Sequence, residues 1–199
     1  SPAMTIASVK MAIAHPDVKI LNCSLNTSHR YIRTYYARMY EAKFLMGAIA
    51  GAMAENGQLA YIADYPIFGT IANINAFALG AKMVNPRAQI YLEWSTLKDV
   101  DLGIAMDNVI KKGVTVVSGQ DMVIPEDASR YFGLYHIEKE GPRNLAMPLW
   151  HWGKFYEQLI RTIMDGTWKY DDNKDETKAI NYWWGLSAEV IDVIYSQNL

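Results

Sequence analysis

The chain has 199 residues, of which 51% are hydrophobic and 20% charged, with a formal net charge of −2. Disordered chains contain far fewer apolar residues, so this composition is that of a folded globular protein. The near-neutral charge argues against a nucleic-acid partner, because nucleic-acid-binding domains are usually basic. At about 150 residues per domain, the length predicts one domain or slightly more. No apolar run reaches the roughly 18 residues of a bilayer-spanning helix.

Two residue counts are unusual. The chain contains 13 Tyr and 6 Trp, which predicts that some of these rings do more than fill a core. The single cysteine, Cys23, excludes an internal disulfide and a cysteine-based zinc site. Its apolar neighbours favour a buried strand thiol. Residues 1–4 are interpreted as a tag or linker.

The first 118 residues have the clearest hydrophobic periodicity. Helices are predicted over residues 4–15, 34–55, 71–84 and 99–112, and strands over 18–25, 58–64, 89–94 and 114–118. The last strand carries no charge, which predicts burial on both faces. Alternating strands and helices predict parallel βαβ units and an α/β fold, with the sheet layered between helices.

Regularity weakens after Gly119. A short helix is predicted within residues 124–131, strands over 133–137 and 145–147, and helices over 152–164 and 187–195. A charged segment at 169–178 is interpreted as a solvated loop. The small residues at 47–52 predict close packing of the long helix, while Arg38, Glu41 and Lys43 are interpreted as its solvated face.

The residues that follow each strand are the candidate site. Ligands of open parallel sheets bind outside the carboxyl ends of the strands. There the chain combines aromatic rings with amides, carboxylates and hydroxyls, which suit a flat, uncharged, polar ligand. The candidates are Tyr65, Phe68, Trp94, Gln120, Asp121 and Trp150. The alternative for Trp94 and Trp150 is that they cover the core.

Several catalytic and cofactor motifs are missing from the sequence. It contains neither a phosphate-binding glycine loop nor a GxSxG nucleophile motif, and its four histidines lack metal-ligand spacing. We therefore expect no cofactor and no metal. Asp64 and Asp121 both follow strands, so an α/β enzyme that uses either carboxylate is an alternative. Carboxylates also accept hydrogen bonds from ligands, and we favour binding over catalysis.

Four segments resemble the basic membrane protein family of substrate-binding proteins, the solute receptors of ABC importers. They are residues 35–47 (YYARMYEAKFLMG), 74–86 (INAFALGAKMVNP), 152–159 with 165–168 (WGKFYEQL and DGTW), and 182–186 (YWWGL). They occur in the family's order, and the resemblance extends over residues 5–199. The family includes purine-nucleoside receptor lipoproteins.

The resemblance implies a type I periplasmic-binding-protein fold, in which two α/β lobes close on a ligand across a hinge crossed three times. Residues 5–36 would form part of the first lobe, 37–147 the second lobe, and 148–199 a hinge crossing and the return to the first lobe. It also implies ligand contacts at Trp94, Gln120 and Asp121, and further contacts at Asn26, Trp184 and Gly185. Tyr65 and Phe68 are weaker matches.

The chain departs from the family pattern in three places. The family's opening strand with its ligand loop, its C-terminal stretch and its lipobox cysteine have no counterpart, and Cys23 is not that cysteine. We therefore expect a second lobe with part of the first.

The function that the resemblance implies is substrate binding for an ABC importer. The ligand would be a small polar solute, and a purine nucleoside or nucleobase is the favoured class. The partner would be a membrane permease, and no nucleic acid would be involved. The full-length protein would be an extracytoplasmic lipoprotein. The alternative is a cytoplasmic ligand-sensing domain of a regulatory protein.

Overall fold

The computed structural model describes residues 4–23, 32–95, 102–121, 132–167 and 182–197. The chain divides into two units. The smaller comprises Ser1–Arg38 and Trp150–Ile191, and the larger comprises Met39–Leu149 and Asp192–Leu199. The chain therefore passes from one unit to the other after Arg38, after Leu149 and after Ile191.

Helices and strands alternate through most of the described residues. The helices are α1 (Thr5–Ala14), α2 (Met39–Met53), α3 (Phe68–Val84), α4 (Leu102–Lys111) and α5 (Trp152–Met164). The strands are β1 (Ile20–Cys23), β2 (Ile32–Ala37), β3 (Gln58–Ala63), β4 (Gln89–Trp94), β5 (Val116–Ser118), β6 (Leu134–Glu138), β7 (Gly141–Trp150), β8 (Tyr182–Trp184) and β9 (Ile191–Tyr195). A 3₁₀ turn occupies Leu186–Ala188.

The larger unit is built on a six-stranded sheet with the order β4-β3-β5-β6-β7-β9. Strands β4, β3 and β5 are parallel, while β6 is antiparallel to both β5 and β7. Strand β5 is buried throughout, as its lack of charge predicts. The core on this sheet includes Ile62, Val109, Val117 and Tyr135.

Helices α2 and α3 pack with their backbones in contact. A Cβ atom added to Gly47 would lie 2.0 Å from the Phe77 carbonyl oxygen, and one added to Gly80 would lie 2.0 Å from that of Phe44. No residue larger than glycine is accommodated at either position without moving backbone. This contact confirms that the small residues of the long helix mediate close packing.

The smaller unit contains a three-stranded parallel sheet with the order β1-β2-β8. Aromatic rings from β2, α5 and β8 form its largest described cluster. Tyr35 stacks on Phe155 at 4.7 Å between ring centroids, and Trp184 meets Phe155 edge to face at 5.2 Å. Cys23 lies at the end of β1, where burial raises the pKa of its thiol.

The predicted α/β fold with a parallel sheet between helices is confirmed, with three corrections. Residues 187–195 do not form a helix: Ile191 and Val193 are buried while Asp192 is exposed, which is the two-residue period of a strand. Residues 32–37 form β2, so the long helix begins at Met39 rather than at residue 34. Strands β6 and β7 are antiparallel, because the short 138–141 connection is a hairpin and leaves no length for a crossover.

Three sequence predictions lie outside the described residues. These are the polar loop that contains Asn26, the short helix within 124–131 and the charged segment at 169–178.

Replacing Gly47 with alanine tests the helix contact. We expect Gly47→Ala to lower the free energy of unfolding by about 1–3 kcal/mol, because the added methyl group overpacks the α2–α3 contact. Gly153→Ala is the matched control, since a Cβ at that helical glycine meets nothing within 4 Å. The control should unfold at the same urea concentration as the wild type or a higher one. Equal midpoints for both variants would disprove the close contact.

Candidate functional site

Three polar side chains meet where β3, β4 and β5 end. Asp64, Ser95 and Gln120 each follow one of these strands. Gln120 Nε2 donates hydrogen bonds to Asp64 Oδ1 at 2.9 Å and to Ser95 Oγ at 3.3 Å. Ser95 Oγ in turn lies 3.2 Å from Asp64 Oδ1. The carboxyl ends of the parallel strands therefore carry a hydrogen-bonded carboxylate, hydroxyl and amide.

Asp121 adds a second carboxylate beside this network. Lys43 Nζ of α2 donates to Asp121 Oδ1 at 2.5 Å. The lysine side chain is 2% exposed and the aspartate side chain 15%. Lys43 Nζ also lies 5.5 Å from the centre of the Tyr61 ring. The ion pair thus lies between the α2 helix and the edge of the sheet, with the aspartate on its solvent side.

The charge of Lys43 is maintained by its partner. Burial on its own lowers the pKa of this lysine, but interactions with Asp121 and Tyr61 outweigh burial, and the pKa is raised overall. A lysine with a raised pKa contributes stability at neutral pH, which is lost only as the pH rises through that pKa. Lys43 is therefore protonated under ordinary conditions.

The interpretation of Lys43 as a solvated residue is wrong. Lys43 lies on the buried face of α2 with Ala42, Met46 and Gly47. Helical spacing provides the signal, because Lys43 and Gly47 are four residues apart and share a face. Its partner is distant in the sequence, so no local pattern reveals the pair.

The structure places three aromatic candidates near the same strand ends. Trp94 is the last residue of β4 and is partly buried. Tyr65 follows Asp64, and Phe68 begins α3; their side chains are 62% and 70% exposed. Tyr65 and Phe68 therefore present apolar surface to solvent at these strand ends.

The remaining candidates belong to the smaller unit. Trp150 ends β7 and is partly buried. Trp184 ends β8, where its ring packs in the aromatic cluster with Phe155 and Tyr182. Gly185 is buried, and its carbonyl accepts hydrogen bonds from the backbone N–H groups of Ala188 and Val190. Asn26 lies outside the described residues.

The smaller unit also contains an open polar groove of about 370 Å³, lined by Lys154, Glu157, Gln158, Ser187, Ala188 and Glu189. Lys154 forms an ion pair with Glu189 in this groove. Glu189 has φ 55°, a left-handed conformation that closes the preceding 3₁₀ turn. None of the sequence candidates lines it.

The described residues contain no cluster of three or more His, Cys, Asp and Glu side chains that could hold a metal ion. None of the helices in those residues combines the length and the apolar character that a bilayer-spanning helix needs. What the strand ends offer is hydrogen bonding: Asp64 and Asp121 accept, and Ser95 and Gln120 both donate and accept. Such a set is chemically suited to accept hydrogen bonds from hydroxyl and amine groups, whereas its carboxylates repel phosphates.

Comparison with known proteins gives the family context. The profile of the Bmp family, described as "ABC transporter substrate-binding protein PnrA-like", matches residues 2–126. A purine-binding protein of Brucella abortus is 26% identical over 205 residues, covering 96% of this chain and 55% of the relative. A putative ABC transporter glucose-binding protein of Haloferax volcanii is 27% identical over 186 residues, covering 88% and 45%. The chain spans about half the length of these curated relatives.

Solved structures share the fold. A solute-binding protein of an ABC transporter system from Conexibacter woesei aligns over 96% of this chain and 65% of its own, with a TM-score of 0.63 and 12% identity. A transcriptional activator of the comK gene from Bacillus halodurans aligns over 98% and 70%, with a TM-score of 0.61 and 13% identity. At these identities the similarity concerns the fold alone.

Removing the charge of Asp121 tests the buried ion pair. Asp121→Asn leaves Lys43 charged and buried without a counter-charge, which costs about 3–5 kcal/mol. We expect a fall of that size in the free energy of unfolding, measured by urea denaturation at pH 7. Asp64→Asn is the control, since an exposed carboxylate contributes about 1 kcal/mol or less. Similar losses for the two variants would show that the Lys43–Asp121 pair is not formed.

Proposed function

We propose that this chain, which belongs to the PnrA-like family of ABC-transporter substrate-binding proteins, binds a small, uncharged, polar solute at the carboxyl ends of β3, β4 and β5. Members of this family are the substrate-binding components of ABC transporters. The observation that carries the proposal is the convergence of Asp64, Ser95 and Gln120, with Asp121 beside them. The proposed contacts are these four residues with Trp94, Tyr65 and Phe68, and in the smaller unit Asn26, Trp150, Trp184 and Gly185.

A purine nucleoside or nucleobase is the ligand class that we favour. The name of the Brucella abortus relative supports a purine, while that of the Haloferax volcanii relative supports a sugar. Both ligand types present hydroxyl or amine donors to carboxylates, and a base also presents a flat face to an aromatic ring. A nucleoside combines the two kinds of contact, which agrees with a polar network whose Ser95 directly follows Trp94 in the chain.

Family membership also supports the other parts of the proposal. Receptors of ABC importers deliver their solute to a membrane permease, so we propose a permease as partner and an extracytoplasmic location with a lipid anchor. Two lobes that close on the solute would bring further contacts to it. The residues of the proposed site bind and orient a ligand, and we assign them no catalytic step.

A ligand-sensing domain of a regulatory protein is the second candidate function. The Bacillus halodurans transcriptional activator has a fold similar to that of this chain, so the architecture is compatible with sensing. The same strand-end residues would bind the effector. A DNA-binding or signalling segment encoded in the same gene would favour this candidate, and a lipoprotein signal would favour the importer.

Calorimetric titration with adenosine, guanosine, adenine and glucose tests the proposed function. We expect at least one of these solutes to bind, and Trp94→Ala to weaken that binding by about 1–3 kcal/mol through loss of a stacking surface. If the gene encodes a longer product, the titration should be repeated with it. Tyr91→Ala, in the middle of the same strand, controls for perturbation of β4. No heat of binding from any of the four solutes would reject the proposal, and unchanged affinity in Trp94→Ala would remove this residue from the site.

A charged form of the same ligand tests the electrostatics of the site. Asp64 and Asp121 carry two negative charges, while Lys43 supplies one positive charge that is already paired. Adenosine monophosphate should therefore bind at least about tenfold more weakly than adenosine, because its phosphate approaches uncompensated carboxylate charge. Competition between the two solutes at low ionic strength measures this ratio. Preference for the monophosphate would contradict a site for neutral solutes.

A further inference from the structure

Stability alone does not explain why a lysine, rather than an apolar residue, occupies position 43. Its side chain is 2% exposed, and taking an ammonium group out of water is costly even when it is paired. A pair of apolar side chains of similar volume often stabilises a protein as well or better. A buried ion pair that lies next to a candidate site therefore requires a different explanation.

The geometry of the pair supplies one. Lys43 reaches Asp121 from the buried face of α2 and occupies Oδ1 at 2.5 Å. The exposed part of the pair belongs to Asp121, whose side chain is 15% exposed. Asp121 directly follows Gln120, which is hydrogen-bonded to Asp64 and Ser95. The lysine thus contacts the carboxylate from the buried side of the pair, and the exposed side of the pair belongs to Asp121.

We propose that Lys43 is a positioning residue for ligand binding. By holding Oδ1, it fixes the orientation of the Asp121 carboxylate and leaves the second oxygen to accept a hydrogen bond from an O–H or N–H group of a neutral ligand. A carboxylate held in place loses less conformational freedom on binding than one that rotates freely. This inference rests on the proposed function, since it names a residue that acts through the site's own aspartate.

The test is a double-mutant cycle in ligand affinity. Calorimetry is performed on the wild type, Lys43→Met, Asp121→Asn and the double variant, with whichever of adenosine, guanosine, adenine and glucose the wild type binds most tightly. We expect each single variant to bind about ten- to a hundredfold more weakly, the loss typical of a hydrogen bond to a charged group. The double variant should bind no more weakly than Asp121→Asn, because Lys43 acts only through that carboxylate.

Three controls separate positioning from a purely structural role. Thermal unfolding of every variant sets a titration temperature at which all are folded. Lys43→Gln keeps an amide hydrogen-bond donor without the charge and should recover part of the ligand affinity that Lys43→Met loses. It replaces Lys43→Met in the double-mutant cycle if that variant is too unstable to titrate. Lys82→Met, at an exposed lysine of α3, should bind like the wild type.

The possible outcomes distinguish the two proposals. Unchanged affinity in Lys43→Met overturns the positioning role while the proposed function stands. If the affinity losses of the two single variants multiply in the double variant, the positioning role is also overturned while the proposed function stands. Lys43 would then act independently of Asp121. A wild-type protein that binds none of the four solutes overturns the proposed function, and the positioning role with it.

Discussion

The backbone contact between α2 and α3 is the constraint on which the larger unit depends. Glycine at positions 47 and 80 lets the two helices approach until each glycine meets a carbonyl group of the other helix. This approach commits one face of α2 to the interior, and Lys43 lies on that face. A lysine buried in this way needs a counter-charge, and Asp121 at the end of β5 supplies it. Helix packing and the chemistry of the strand ends are thus connected through one side chain.

The parallel part of the sheet provides the other half of this arrangement. Strand β3 is central among the three parallel strands, with β4 and β5 on its two sides. Parallel neighbours end at the same edge, so the residues after all three strands converge although they are far apart in the sequence. Asp64, Ser95 and Gln120 owe their hydrogen bonds to this topology. The same edge therefore holds both the polar network and the Asp121 carboxylate.

Much of the fold could be predicted from the sequence because its local patterns are strong. The bounds of β4 and α5 agree with the prediction, as hydrophobic periodicity and the adjoining turn residues define both elements. The secondary-structure prediction is wrong where the apolar residues fit both the 3.6-residue period of a helix and the two-residue period of a strand. Residues 187–195 contain apolar residues at helical spacing, but the alternation of Ile191, Asp192 and Val193 decides for a strand. Tyr35 and Tyr36 likewise fit the periodicity of the predicted helix, yet they lie in β2, and the helix begins only at Met39.

The candidate site was predictable only in part. Strand ends identify Gln120 and Asp121 as candidates, and the structure shows each hydrogen-bonded at the predicted edge. The role of Lys43 was missed because its partner lies 78 residues away. A charged residue on a helix is ordinarily solvated, and only the tertiary structure shows this one buried. The excess of aromatic residues has a partial explanation, since Tyr35, Phe155 and Trp184 pack together in the smaller unit.

Binding of a small polar solute where β3, β4 and β5 end is the function that we propose. Its most direct test is a ¹H–¹⁵N NMR titration of the protein with adenosine, followed residue by residue. We expect the largest shifts at the backbone amides of Asp64, Ser95 and Gln120 and at the indole N–H of Trp94. Shifts confined to the groove formed by Lys154, Ser187 and Glu189, with the strand-end amides unmoved, would contradict it.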